Sequence, residues 1–299
     1  MIGVLMGVSE SDTEGQARIA AFRRGLEALR WLEGQNINLD IRWGNGDGAR
    51  IKSLAVELAA AAPDVILGTN TPTVRALKAA TTTVPVVFAG LSDPVGDGIV
   101  ESLARPGGNI TGFSSFDSPL AGKWLQYLIE VQSGTKRVTV MFNPDTAPHS
   151  LFLPILEAAA KQLGVPLVQA KVRDVAAVET AMAALGSEPG QALIVLADVF
   201  STLHRGLIIA LAERYRVPAI YPGRYFVTDG GLICYGSDFA DQYQRAASYV
   251  DRILQGLSVA DLPVQAPIKF QLVINLKTAK AIGIEIPLSL LATADEVIE

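Results

Sequence analysis

Short apolar runs alternate with helical patterns along most of this chain, and no other feature constrains its fold as strongly. The apolar run at residues 2–8 is followed by a helical pattern, and the run at residues 64–67 is followed by another. Such runs are typical of strands buried on both faces, and alternation with helices predicts a parallel sheet with right-handed crossovers. The order restarts at residues 137–142. We therefore predict an α/β fold with two Rossmann-like lobes, each containing a parallel sheet.

The last part of the chain breaks this alternation. A helical pattern ends near Leu254, and residues 263–267 contain two prolines in an extended pattern. A segment that fits neither lobe indicates that the chain crosses between the lobes several times. This favours a hinged pair of lobes, and not two domains joined by a flexible linker. We predict an N-terminal lobe of residues 1–114 with 238–262, a C-terminal lobe of residues 118–232 with 268–299, and a three-strand hinge with crossings near residues 113–118, 232–237 and 263–270.

Composition excludes several classes of protein. Hydrophobic residues make up 49% of the chain and charged residues 18%, so a large core is expected and disorder is not. No apolar run approaches the roughly 18–20 residues of a membrane span. The net charge of -5 gives no basic surface for nucleic acid. With one cysteine, Cys234, and two histidines, the chain predicts neither an intrachain disulfide nor a metal site.

The stretch at residues 63–73 predicts a buried strand, a polar turn and a helix start. Thr71 is expected to be the N-cap and Pro72 the first helical residue, since proline lacks only an N–H that the first turn leaves unbonded. The N–H groups of Thr73 and Val74 would then point outward and bind an anion such as a carboxylate. The alternative is an ordinary, well-capped strand-to-helix turn.

Enzymatic alternatives find little support. The chain has no Gly-x-Ser-x-Gly elbow for a hydrolase and no P-loop lysine motif. His204 is interpreted as a cap or surface residue, and His149 as a residue able to touch a ligand without performing chemistry. A ligand-sensing domain of a transcription regulator is a second alternative, although no helix-turn-helix precedes Ile2.

Several motifs together resemble a known family over essentially the whole chain. They are SDPV at residues 92–95, ARPGGNITG at 104–112, GGL at 230–232, YG at 235–236, LPVQ at 262–265, NLKTAK at 275–280 and ADEVIE at 294–299. The chain resembles the ABC transporter substrate-binding proteins of the type that includes the tryptophan-binding TrpX proteins. The resemblance implies a type I periplasmic binding protein, with two α/β lobes and a ligand cleft between them.

The resemblance and the residues agree on where a ligand would bind, because ligands of open parallel sheets lie beyond the carboxyl ends of the strands. Turn residues are a plain alternative for each candidate, especially for Asn143 and Asp93, which precede prolines. Asp198 ends a strongly apolar strand with no turn signal after it. The expected ligand-binding residues are Ser9, Asp12, Asn70, Thr71, Thr73, Ser92 and Asp93 from the first lobe, Asn143, Ser150, Asp198 and Tyr221 from the second, and Phe116 near the first crossing.

We therefore expect a solute-binding receptor of an ABC importer, not an enzyme, with no cofactor. It would bind a small carboxylate-bearing molecule, such as an amino acid or aromatic acid, and close on it by hinge rotation. Its partners would be a membrane permease and an ATPase, and we expect a monomer. No export signal precedes Ile2, which fits either a cytoplasmic protein or one whose signal has been removed. The resemblance implies a periplasmic or otherwise extracytoplasmic location.

Overall fold

The computed structural model describes all residues of the chain except Phe116, Ser118, Pro148 and Leu151. In chain order the elements are β1 (Ile2–Met6), α1 (Thr13–Ala28), β2 (Leu39–Trp43), α2 (Gly48–Ala60), β3 (Val65–Gly68), α3 (Thr71–Ala80), β4 (Val86–Leu91), β5 (Ile110–Ser114), α4 (Pro119–Val131), β6 (Arg137–Phe142), α5 (Phe152–Gln162), β7 (Leu167–Lys171), α6 (Val175–Gly186), β8 (Gln191–Val195), α7 (Val199–Leu203), α8 (Arg205–Arg214), β9 (Ala219–Tyr221), α9 (Arg224–Thr228), β10 (Ile233–Ser237), α10 (Phe239–Leu254), a 3-10 turn (Val259–Asp261), β11 (Phe270–Asn275), α11 (Leu276–Ile282), α12 (Leu288–Leu291) and β12 (Glu296–Ile298).

The chain divides into two compact units and changes unit three times. The first unit contains Met1–Phe116 and Phe239–Pro267, and the second contains Asp117–Asp238 and Ile268–Glu299. The second change falls between Asp238 and Phe239, just beyond the predicted crossing near residues 232–237. The reason is that β10 is a full strand of the second unit, hydrogen-bonded to β9 on one side and to β11 on the other. Hinge motion at these crossings stays a prediction.

The first unit has a five-stranded parallel sheet in the order β2-β1-β3-β4-β5. Its central strands are buried on both faces, which is why they read as continuous apolar runs. On one side, the core includes Leu58 of α2, Leu77 of α3 and Phe88 of β4. The carboxyl ends of β1, β3 and β4 therefore lie side by side at one edge of the sheet.

Helices α1 and α10 pack closely against each other in the first unit, although more than two hundred residues separate them in the chain. Gly25 permits the close approach: a Cβ atom there would lie 2.4 Å from the carbonyl oxygen of Gln244 and 2.8 Å from the Cβ of Ala247. The indole N–H of Trp31 also donates to Asp251 of α10 at 2.9 Å.

Helix α1 ends at Ala28. Arg30 adopts a positive φ of 66°, which the helix does not allow, and the side chain of Asn36 bonds the backbone of Leu32 and Arg30. These contacts make a compact turn, and strand β2 begins only at Leu39.

The second unit has a seven-stranded sheet in the order β12-β11-β10-β9-β8-β6-β7. Every pair is parallel except β10 and β11, which run antiparallel. This pair is the exception in a sheet that is otherwise parallel, as predicted. Between β10 and β11 the chain passes through the first unit, so no strand–helix–strand crossover sets their direction. Within the described residues, no helix is long and apolar enough to cross a membrane.

Candidate functional site

The turn between β3 and α3, at the centre of the expected site, is capped by Asn70 and not by Thr71. The Asn70 side chain accepts the N–H of Thr73 at 3.1 Å, and the Thr73 hydroxyl accepts the N–H of Asn70 at 3.1 Å. This reciprocal pair is a capping box, which places Thr71 inside the helix. The predicted N-cap was therefore wrong by one residue.

The donors that were expected to bind an anion at this turn already have partners. The Thr71 hydroxyl donates to Asp97 Oδ2 at 2.9 Å, and the N–H of Val74 donates to the carbonyl of Asn70 at 3.0 Å. With the Thr73 N–H held by Asn70, all three donors are bonded within the protein, and the anion site stays a prediction. Burial raises the pKa of Asp97, although the bond from Thr71 and the nearby charge of Arg75 oppose this rise.

Asp93, after β4, has a structural role in its turn. Its carboxylate accepts the N–H of Gly96 at 2.8 Å, and its carbonyl accepts the N–H of Asp97 at 2.9 Å. A Cβ atom on Gly96 would lie 2.3 Å from the Asp93 carboxylate, so this turn needs the glycine. Ser92 precedes this turn and is half-buried. The turn interpretation of Asp93, which the sequence left open, accounts for these contacts.

Ser9 and Asp12 lie in the loop that follows β1. Asp12 caps α1 by accepting the N–H of Gly15 at 2.7 Å, and the Ser9 hydroxyl lies 3.2 Å from that of Ser11. The end of β1 also contacts the end of β3, since the N–H of Gly7 donates to the Thr69 hydroxyl at 3.2 Å. The structure thus brings the predicted residues of the first unit to the carboxyl ends of adjacent strands.

Asn143 and Asp198 meet in the second unit, at the carboxyl ends of the neighbouring strands β6 and β8. The N–H of Asn143 donates to Asp198 Oδ2 at 3.0 Å, and both residues are buried. Asp198 also caps α7, accepting the N–H of Ser201 at 2.6 Å and its hydroxyl at 3.0 Å. Burial raises the pKa of Asp198 to about 6, against the effect of these hydrogen bonds. The sequence had not predicted this helix cap.

The remaining predicted residues of the second unit differ in their exposure. Tyr221 is 1% exposed and stacks on Phe226 with ring centroids 4.9 Å apart, which is typical of core packing, and its expected role in binding stays a prediction. Packing in the core is the commoner role of an aromatic residue near a strand end. Ser150 is exposed, and Phe116 lies outside the described residues.

His149, in the loop after β6, is fully buried, and its Nε2 has no hydrogen-bond partner among the described residues. Its ring packs edge-on against Phe142, with centroids 5.9 Å apart. Burial lowers the pKa of His149 to about 4, so the imidazole is neutral near pH 7. In the part of the chain that the structure describes, no group of three His, Cys, Asp or Glu residues could hold a metal ion.

A polar and aromatic cluster that was not predicted from the sequence lies where the first turn of α10 meets α1 and the end of β4. The Tyr243 hydroxyl donates to the carbonyl of Thr69 at 3.3 Å, which brings this turn to the strand ends. Arg18 of α1 lies 4.6 Å from the ring centroid of Phe239 and pairs with Glu14. Gln242, which lies between Phe239 and Tyr243 in the sequence, is also buried. A glutamine in a helical pattern normally indicates an exposed face, so the pattern gave no signal.

A family profile described as ABC transporter substrate binding protein matches residues 2–298. The chain belongs to this family. The expectation from the sequence motifs is thereby confirmed, including the prediction that the protein is a solute-binding protein and not an enzyme. Proteins of this family bind small molecules, act with an ABC permease and ATPase, and are extracytoplasmic.

Individual relatives agree with the family assignment. The chain is 26% identical over 264 residues to a tyrosine-binding protein of Clostridioides difficile, covering 88% of this chain and 76% of the relative. A conserved domain protein from Vibrio cholerae O1 biovar El Tor is 29% identical, with a TM-score of 0.92 over 99% of this chain and 98% of that one. An ABC domain from Streptococcus pneumonia in complex with L-Trp has a TM-score of 0.89 at 24% identity over 99% of each chain. These matches confirm the predicted type I periplasmic binding protein fold.

Proposed function

We propose that this substrate-binding protein is the receptor of an ABC importer for an aromatic amino acid. The observation that carries the proposal is the relationship to a tyrosine-binding protein over 88% of the chain. The fold shared with the L-Trp complex is consistent with it. An amino acid also supplies the carboxylate that the sequence led us to expect. The family match does not favour a regulator domain or a hydrolase.

The strand-end loops support this proposal in each unit separately. Polar side chains follow β1, β3 and β4 in the first unit, and follow β6 and β8 in the second. Ligands of parallel α/β sheets bind at such edges. Closure on the ligand and a periplasmic location stay predictions.

Thermal unfolding of the purified protein with a panel of amino acids, aromatic acids and sugars tests the ligand class. A ligand at a hundred times its Kd stabilises the folded state by about 2.7 kcal/mol. For units of this size, L-Tyr or L-Trp should then raise Tm by roughly 5–10 °C. Calorimetry should show saturable binding, and the amino acid should be recovered unchanged. Stabilisation by a sugar or polyol, with no response to any amino acid, would contradict the proposal.

The importer role needs a separate measurement in cells. Deleting the gene should abolish high-affinity uptake of the radiolabelled amino acid, and restoring it should return uptake. Small-angle scattering should show a smaller radius of gyration with the amino acid than without it, because closure is favoured only by contacts that the ligand makes in the closed state. Normal uptake in the deletion strain would exclude the importer role.

A further inference from the structure

Gln242 is a buried polar side chain of the first unit whose amide makes no hydrogen bond to the described residues. It lies in the first turn of α10 and is 1% exposed. Neither its amide oxygen nor its amide nitrogen has a hydrogen-bond partner among the described residues. Burying an amide without partners is unfavourable, and buried side-chain amides are satisfied in most proteins. An entirely unsatisfied amide therefore points to a group that binds it.

Polar side chains in the same cluster as Gln242 form hydrogen bonds or ion pairs with other residues. Tyr243 donates its hydroxyl to Thr69, and the Ser115 hydroxyl donates to the carbonyl of Gly90 at 3.4 Å. Arg18 is paired with Glu14 at 2.9 Å. The amide of Gln242 is a polar group of this cluster that a ligand can use without breaking a hydrogen bond to the described residues.

Gly90, near the end of β4, keeps the space beside the amide free of a side chain. Its φ of +84° lies in the region that favours glycine. A Cβ atom at this position would lie 3.9 Å from Gln242 Oε1 and 3.4 Å from the ring of Phe239. The amide thus lies at the carboxyl end of a central parallel strand, where ligands of such sheets bind.

We propose that Gln242 binds the charged end of the amino acid ligand and selects for a zwitterion, an inference that rests on the function proposed above. The amide oxygen accepts hydrogen bonds, and the amide nitrogen donates two. An amino acid offers both complements, an ammonium donor and a carboxylate acceptor. A simple carboxylic acid would satisfy the nitrogen and leave the oxygen without a donor. Gln242 thereby distinguishes an amino acid from its des-amino analogue.

Replacing Gln242 by Met tests this role, because methionine has a similar length and no hydrogen-bonding amide. The matched control is Gln244→Met, which alters an exposed side chain on the same helix. Each protein is titrated calorimetrically with L-Tyr, L-Trp and the des-amino analogue of L-Tyr, and Tm is measured without ligand.

The proposal predicts opposite effects on stability and binding. In Gln242→Met, Tm without ligand should stay unchanged or rise, since an unsatisfied buried amide is removed. The Kd for L-Tyr or L-Trp should rise about ten- to a hundredfold, as expected for lost bonds to charged groups. The preference for L-Tyr over its des-amino analogue should shrink in Gln242→Met and persist in Gln244→Met.

Two results would overturn the proposal in distinguishable ways. If the parent protein binds L-Tyr or L-Trp and Gln242→Met binds it equally well, the amide does not contact the ligand. A lower Tm of that variant would then indicate that the amide holds only a buried water. If the parent binds no amino acid, the proposed function fails, and the role of Gln242 fails with it.

Discussion

The backbone N–H of Asn143 donates a hydrogen bond to Asp198 Oδ2 at 3.0 Å, and this bond joins the ends of two neighbouring strands in the second unit. The same carboxylate accepts both the N–H and the hydroxyl of Ser201. Asp198 therefore fixes the loop after β6 and the first turn of α7 at the same time.

Removing this carboxylate should destabilise the second unit more than removing an ordinary helix cap. We expect Asp198→Ala to lower the free energy of unfolding by about 2–4 kcal/mol, from a lost cap of about 1 kcal/mol and buried donors left without an acceptor. Asp174→Ala is the control, because exposed Asp174 caps α6 through the N–H of Ala177 at 2.8 Å. Its loss should be about 1 kcal/mol. Equal losses in chemical denaturation at pH 7 would refute the bridging role.

Acid should destabilise the protein partly through His149. The pKa of His149 is lowered from 6.5 to about 4. Between pH 6.5 and pH 4, His149 is therefore protonated in the unfolded chain and neutral in the folded protein. Stability from this residue is complete above pH 6.5 and is lost as the pH falls towards 4, by about 3 kcal/mol in all. We expect His149→Asn, which tolerates the positive φ of 53°, to lose less stability on acidification than the parent.

The measurement is the free energy of unfolding of both proteins at pH 7 and pH 4.5. Asp198 contributes in the opposite direction, because its pKa is raised to about 6 and its protonation in the folded state adds stability as the pH falls. That contribution is common to both proteins and cancels in their difference. Identical changes in parent and variant would show that His149 titrates normally.

Gly25 should be indispensable for the packing of α1 on α10. A methyl group there would meet the Gln244 carbonyl at 2.4 Å, and we expect Gly25→Ala to destabilise the first unit by about 1–3 kcal/mol. The control is Gly122→Ala in α4, where a Cβ atom meets nothing within 4 Å. That change should stabilise the protein by up to about 1 kcal/mol, because alanine favours helix more than glycine does. Opposite signs in thermal unfolding are expected, and stabilisation by both changes would exclude the tight contact.

Thr71 should matter for stability more than for ligand affinity. Thr71→Ala removes the donor to the buried carboxylate of Asp97, at a cost of about 1–3 kcal/mol in unfolding free energy. Thr71→Ser keeps the hydroxyl and should recover most of that loss. Calorimetric titration of L-Tyr or L-Trp should give the same Kd for all three proteins. A tenfold weaker affinity of Thr71→Ala alone, at equal stability, would restore Thr71 as a ligand contact.

Local patterns in the sequence predicted the alternating elements because buried parallel strands and amphipathic helices have different periods. Boundaries were less predictable where a single side chain decides them. Asn70 and Thr71 are both residue types that favour an N-cap position. Asn70 is the cap because its side chain reaches the N–H of Thr73. The end of α1 similarly depends on how Asn36 bonds the backbone around Arg30.

Contacts between distant parts of the chain explain what the sequence could not predict about the candidate site. Asp198 and Asn143 were expected at strand ends, but their hydrogen bond depends on the order of β6 and β8 in the sheet. Gln242 follows β1 by more than two hundred residues, and its burial results from α10 packing on the rest of the first unit. The burial of Tyr221 was not predictable, because an aromatic residue at a strand end can face either a ligand or the core.

The division of the first unit into two separated segments determines when it can fold. Met1–Phe116 leaves the ribosome before the whole of Asp117–Asp238, while α10 arrives only with Phe239–Pro267. Until then the α10-facing surface of α1, including Gly25, stays without its partner, so the nascent chain contains an incomplete core throughout most of its synthesis. Contacts so distant in sequence also slow folding.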